Sequence, residues 1–142
     1  MSRRKDKHSR LLILGGSSYV GRCLFHTIGN EKAIATYNRT FLKHGVFFDS
    51  MTMELTEIID NPEEISHAII LLGDTDPETC AKDVQYSRAL NVVSIKKILD
   101  QLGNWKIKPI FTSSEFVFDG KKGKYHEADQ ATPILLYGQQ KL

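Results

Sequence analysis

The chain reads as an α/β protein, a doubly wound parallel sheet in which strands alternate with helices. Three observations predict this. A short apolar run, Arg10 to Leu14, leads directly into the glycine-rich turn Gly15-Gly16-Ser17-Ser18-Tyr19-Val20-Gly21. Further short apolar runs recur between stretches of helical period, with Gly-Asn or Asn-Pro pairs as stops. Near the far end, Thr112-Ser113-Ser114 closes one such run, and Tyr137 stands four residues before Lys141. Strands that are continuously apolar are buried on both faces, which is the pattern of a parallel sheet covered by helices.

Taken in order, Arg10 to Leu14 is the first strand. Val20, Leu24 and Ile28 recur at helical spacing, and Gly29-Asn30 supplies a stop, predicting a helix with those residues inward. Ala33 to Tyr37 is the second strand and Gly45 to Phe48 the third. Met51 to Ile59 reads as a helix closed by Asn61-Pro62, and Ala68 to Leu72 as the fourth strand. One long helix is expected from Cys80 to Leu102, with Val84, Ile95, Ile98, Leu99 and Leu102 on its buried face and Gly103-Asn104 at its end. Ile107 to Thr112 is the fifth strand, with Trp105 packing at the sheet edge. Right-handed crossovers then give the strand order 3-2-1-4-5, and ligands belong at the carboxyl ends, near the switch between strands 1 and 4.

With 142 residues the chain suits one domain. Its formal charge of +2 hides an asymmetry: Arg3, Arg4, Lys5, Lys7 and Arg10 crowd the start against Asp6 alone. Outside that stretch, fourteen Lys and Arg face sixteen Asp and Glu, so the body is slightly acidic and offers no footprint for nucleic acid. Residues 1–9 are expected to be a basic, disordered tail and residues 10–142 a nucleotide-binding domain. The run Leu11 to Leu14 is too short for a signal peptide, and nothing approaches the ~20 apolar residues of a membrane span. A cytoplasmic protein is expected. Cys23 and Cys80 fall in predicted helices, where buried reduced thiols are the usual state. The five histidines form no ligand-spaced pair, so no metal site is expected.

The glycine turn follows a strand and precedes a helix, the setting in which backbone N–H groups and a helix N-terminus receive a pyrophosphate. Gly15 and Gly21 occupy two places of a Gly-x-x-Gly-x-x-Gly spacing, and Ser18 occupies the middle one, where its hydroxyl is able to reach a phosphate or cap the helix. Ser17, Tyr19 and Val20 complete this candidate cofactor loop. After the second strand comes Asn38-Arg39, with no carboxylate to hold a ribose 2′-hydroxyl. That favours the 2′-phosphate of NADP(H), without excluding NAD(H). Leu72 and Gly73, after the fourth strand, should border the cofactor. Asn91 is polar on a face that should be buried, so its amide requires partners. Tyr137 and Lys141, one helical turn apart, share a face.

These residues resemble the extended short-chain dehydrogenase/reductase family, and within it the dTDP-4-dehydrorhamnose reductase branch. The resemblance covers essentially the whole body. It rests on Gly15 to Gly21, Asp49, Asn91, Ser113-Ser114-Glu115-Phe116-Val117-Phe118-Asp119-Gly120, Gly123-x-Tyr125-x-Glu127, Pro133 and Tyr137-x-x-x-Lys141. The departures are Ser18 for glycine, and Ser114-Glu115-Phe116 where the branch has Thr-Asp-Tyr.

The resemblance implies a Rossmann-type fold and reduction, by NADPH, of a nucleotide-linked 4-keto-6-deoxy sugar for polysaccharide precursors. It implies Tyr137 as proton donor to the carbonyl, Lys141 as the charge that favours the phenolate and a ribose ligand, and Ser114 rather than Ser113 as a second donor to that oxygen. Glu115 and Phe116 then border the substrate, Asp49 accepts from the adenine amino group, and Asn91 stands behind the tyrosine. Family members continue beyond the lysine with further strands and a substrate domain, so the chain is expected to be an incomplete Rossmann domain, with a homodimer conceivable for the full-length form. Two rivals remain: a non-catalytic regulatory protein, as in the beta subunit of methionine adenosyltransferase, which looks like this branch, and a sugar-nucleotide epimerase with tightly held NAD.

Overall fold

The computed structural model describes residues 9–142; the basic tail expected over residues 1–9 lies, but for Ser9, outside them. Five parallel strands form one sheet in the order β3-β2-β1-β4-β5. They are β1 (Arg10–Leu14), β2 (Ala33–Tyr37), β3 (Val46–Phe47), β4 (Ile65–Ile70) and β5 (Lys108–Phe111). The order is the one expected, and the switch between β1 and β4 opens the crevice in which such sheets hold ligands.

Side chains alternate across β1 with period two. Leu12 and Leu14 enter a core that also holds Ile70, Ile95, Ile98 and Leu102, while Ile13 enters another with Phe25, Ala33 and Ala35. All three β1 side chains are fully buried, each worth about 1.5–3 kcal/mol of apolar transfer. Helix α1 (Tyr19–Ile28) covers the second core. Its inward residues are Gly21 and Phe25, with Leu24 and Ile28 half-buried; Val20, expected inside, is exposed because the helix has only begun there and faces the sheet's open end.

The first core is covered by a helical run that differs from the single helix expected. Helix α2 (Pro77–Lys82) ends at Asp83, whose backbone is non-helical and whose carboxylate caps the next segment at the Tyr86 N–H. Helix α3 (Val84–Arg88) then passes through a wider π turn, Ala89–Val93, into α4 (Ser94–Asn104). Ile95, Ile98 and Leu102 are buried as expected, whereas Val84 lies at the exposed capped start. Trp105 is half-buried against this core.

The helix expected over 51–59 does not form. Only a 3-10 turn, Leu55–Glu57, appears there, followed by another, Pro62–Glu64. Side chains of α4 supply the partners a helix would have given: Gln101 Oε1 accepts from the Leu55 N–H at 2.7 Å, and Lys97 Nζ donates to the Met53 carbonyl at 2.8 Å. Leu55 and Ile59 still reach the core, so burial was legible although the backbone was not. Of the thiols, Cys80 is buried and Cys23 exposed on the outer face of α1, which corrects the second expectation.

Candidate functional site

The glycine turn is built for close approach. Gly15 has φ +87, a conformation open to glycine, and its N–H donates to Thr36 Oγ1 at 3.1 Å, tying the turn to β2. A Cβ on Gly21 would stand 2.7 Å from the Gly16 Cα, so only glycine lets α1 rest on the turn. Ser18 is the N-cap: its Oγ accepts from the Gly21 N–H at 3.1 Å. The first N–H groups of a helix lack partners within it. Ser18 takes that of Gly21 and leaves those of Tyr19 and Val20 at the helix N-terminus for a ligand.

Beside the turn, a groove of about 700 Å³ runs over the carboxyl ends of the strands. Ser17, Asn38, Arg39, Asp49 and Gly73, five residues marked in the sequence for a cofactor, line it together. The Asp49 carboxylate accepts from the Met51 N–H at 3.0 Å, so it closes a turn as well as facing the groove. Arg39 Nη2 donates to the Tyr86 hydroxyl at 2.8 Å. Leu72 instead packs beneath, against the α4 core.

Asn91 lies in the π turn and is buried. Its Oδ1 accepts from the Asp74 N–H at 2.8 Å, and its Nδ2 donates to the Asp74 carbonyl at 3.0 Å and to Gln140 Oε1 at 2.7 Å. Gln140 Nε2 donates in turn to Ser87 Oγ at 2.9 Å. One amide therefore pins the loop after β4 to helix α5 (Leu136–Lys141). The sequence singled out Asn91 but not Gln140; the available signal was an amide next to Lys141 on a helix that must bury Tyr137.

Helix α5 buries Tyr137, Gly138 and Lys141. Ser114 caps a 3-10 turn, Glu115–Val117, by accepting from the Phe116 N–H at 3.3 Å. Lys141 Nζ sits 4.4 Å from the Phe111 ring centre and donates to the Thr112 carbonyl at 3.4 Å. Phe116 meets Tyr137 edge-on at 5.8 Å, and Glu115 accepts from Ser114 Oγ at 3.1 Å. Ser114, Glu115, Phe116, Tyr137 and Lys141 thus share one place at the end of β5.

Burial is the larger electrostatic influence here. It raises the Tyr137 phenol above its ordinary value, and the neighbouring Ser114 hydroxyl draws it only partly back. Lys141 Nζ lies 5.9 Å from the Tyr137 ring centre, and burial lowers the ammonium's own value. Apolar burial weighs more than the phenol–ammonium attraction in this arrangement. Among the described residues, no three His, Cys, Asp or Glu side chains gather as a metal site, and no helix is long and apolar enough to cross a membrane.

The 3-2-1-4-5 sheet with a ligand groove at its switch point defines a Rossmann-type α/β protein. The family described as RmlD substrate binding domain matches residues 9–142, and the chain belongs to that family. It is similar to methionine adenosyltransferase 2 subunit beta of Danio rerio, 26% identical over 95% of this chain and 42% of that protein. Among solved structures it is similar to a hypothetical dTDP-4-dehydrorhamnose reductase from Sulfolobus tokodaii, with TM-score 0.83, 26% identity, and 93% of this chain and 49% of that one covered. It also shares its fold with MoeE5 solved with UDP-glucose and NAD, with TM-score 0.81, 20% identity, and 94% and 46% covered. The chain spans about half the length of the proteins it matches.

Proposed function

We propose that the protein to which this chain belongs is an NADP(H)-dependent reductase of a nucleotide-linked 4-keto-6-deoxy sugar. The reading is carried by one observation: Ser114, Tyr137 and Lys141 stand together at the end of β5, with Phe116 of the Ser114 turn packed edge-on against the phenol ring. The groove beside them suits a dinucleotide, because Ser17, Asn38, Arg39, Asp49 and Gly73 line it and Ser18 leaves first-turn N–H groups of α1 open.

When bound, the dinucleotide supplies the hydride. The chain's own residues manage the oxygen. Tyr137, held protonated by burial, gives its proton to the carbonyl oxygen, and Ser114 fixes the direction of that oxygen. Lys141 brings positive charge next to the ring and reaches toward Gly73, on which a Cβ would stand 4.0 Å from its Nζ. Arg39 recognises a 2′-phosphate, Asp49 the adenine amino group, and Asn91 holds the loop and helix that frame the nicotinamide end. Glu115 and Phe116 border the sugar. A cytoplasmic setting, a role in making polysaccharide precursors and a homodimer of the longer form accompany this reading, with residues 10–142 as the cofactor-binding part.

The similarity to methionine adenosyltransferase 2 subunit beta favours a second reading, in which the same groove holds a dinucleotide without turnover and the chain serves as a subunit beside a catalytic polypeptide. An epimerase with tightly bound NAD is disfavoured by Arg39.

The first test is thermal. NADPH should raise Tm more than NADH does; an equal or reversed shift removes the NADP(H) assignment. In a form that reduces a keto-sugar nucleotide, Tyr137→Phe should abolish turnover and spare NADPH binding. Turnover that survives refutes the proton-donor role, and NADPH binding with no turnover in any form supports the subunit reading.

A further inference from the structure

Arg39 and Tyr86 come from opposite walls of the groove, one just after β2 and the other on α3, and both line it. The Arg39 Nη2 to Tyr86 hydroxyl distance is 2.8 Å, across forty-seven residues of sequence. No carboxylate forms an ion pair with Arg39 among the described residues, so the phenol is the side chain that orients it. Tyr86 is itself fixed, because its N–H donates to the Asp83 carboxylate at 2.9 Å at the capped start of α3. An unrestrained surface arginine spreads over many rotamers, and ordering it opposes binding. A guanidinium has five N–H donors, so the single bond to Tyr86 leaves an edge free for two-point contact with a phosphate.

We propose that Tyr86 is a specificity-determining residue: it holds Arg39 across the adenosine end of the groove and sets the preference for a dinucleotide bearing a 2′-phosphate. The proposal rests on the dinucleotide reading above and extends it to a residue that touches no reacting atom. Tyr86 acts through Arg39, so its influence must vanish when Arg39 is gone. The break in the helix at Asp83 gains a purpose, since it sets the start of α3, and with it Tyr86, facing Arg39.

The test is a double-mutant cycle on the 142-residue chain, with NADPH and NADH affinities measured by titration calorimetry. Tyr86→Phe removes one exposed hydroxyl and keeps the ring. It should weaken NADPH about tenfold, the size of one hydrogen bond's loss, and leave NADH unchanged. In an Arg39→Ala background the same change should have no effect on either nucleotide. Equal affinity of wild type and Tyr86→Phe for NADPH overturns the proposal while leaving the cofactor reading in place. A parallel loss for NADH, or a loss that persists without Arg39, also overturns it. If wild type binds neither nucleotide, the cofactor reading and this proposal both fall.

Discussion

Lys141 carries its charge where the surroundings oppose it. The side chain is buried, the rings of Phe111 and Tyr137 and one carbonyl are its partners, and desolvation lowers its proton affinity below the ordinary 10.5. A group depressed in this way contributes stability above its unfolded value and loses it as pH falls through its folded value. At neutral pH the buried ammonium therefore weakens the fold. Lys141→Met should raise stability at pH 7 by about 1 kcal/mol, measured by urea unfolding, since it removes a buried charge and keeps the stem. The variant should also lack the gain in stability that wild type shows as pH climbs toward 10.5. Tyr137 has the opposite sign. Its raised value contributes stability below 10.0 that is lost as pH rises through the folded value, so Tyr137→Phe should flatten the alkaline fall. A residue kept at a cost to stability is what a functional site calls for.

At the level of elements, Ser18 shows how a departure from a glycine spacing is accommodated. The position sits at the helix N-cap with an extended backbone, φ −67 and ψ 165, so it needs no glycine conformation. The hydroxyl satisfies an N–H that would otherwise be unpaired. Ser18→Ala should cost about 1 kcal/mol in thermal unfolding, and Ser18→Gly only a few tenths. Neither should abolish NADPH binding, because the N–H groups of Tyr19 and Val20 are untouched; loss of binding in Ser18→Ala would assign the hydroxyl to the phosphate instead. The long helical run makes a related point. Its π turn coincides with Asn91, and the extra residue there turns the amide inward to the Asp74 backbone and Gln140. Such turns gather at functional sites.

Across the whole molecule, the last thirty residues are joined to the sheet through α5. Among the contacts that hold that short helix are the Asn91–Gln140–Ser87 chain of hydrogen bonds and the backbone contact at Gly138. A Cβ on Gly138 would fall 2.8 Å from the Phe116 carbonyl carbon and 3.0 Å from Pro133 Cβ. Gly138→Ala should therefore lift α5 from the body at a cost of about 1–3 kcal/mol. Hydrogen exchange should read the loss as faster exchange at residues 136–141, with β1 and β4 still protected. Uniform protection in the variant would mean that Pro133 and Phe116 yield without releasing the helix.

What the residues determined by themselves was the order of the sheet, the glycine turn and the Tyr137–Lys141 pairing. Each depends on short-range periodicity: apolar runs for strands, spacing of four for a helix face, glycine where a side chain has no room. The tertiary structure decided what periodicity cannot carry. It replaced a helix at 51–59 with turns held by Lys97 and Gln101, and it divided the run after Cys80 at Asp83, because contacts between distant elements outweigh local propensity. It brought Gln140 to Asn91 and Tyr86 to Arg39, pairs separated by nearly fifty residues. It also made burial the larger influence on Tyr137, since desolvation depends on everything packed around a group and no motif records that.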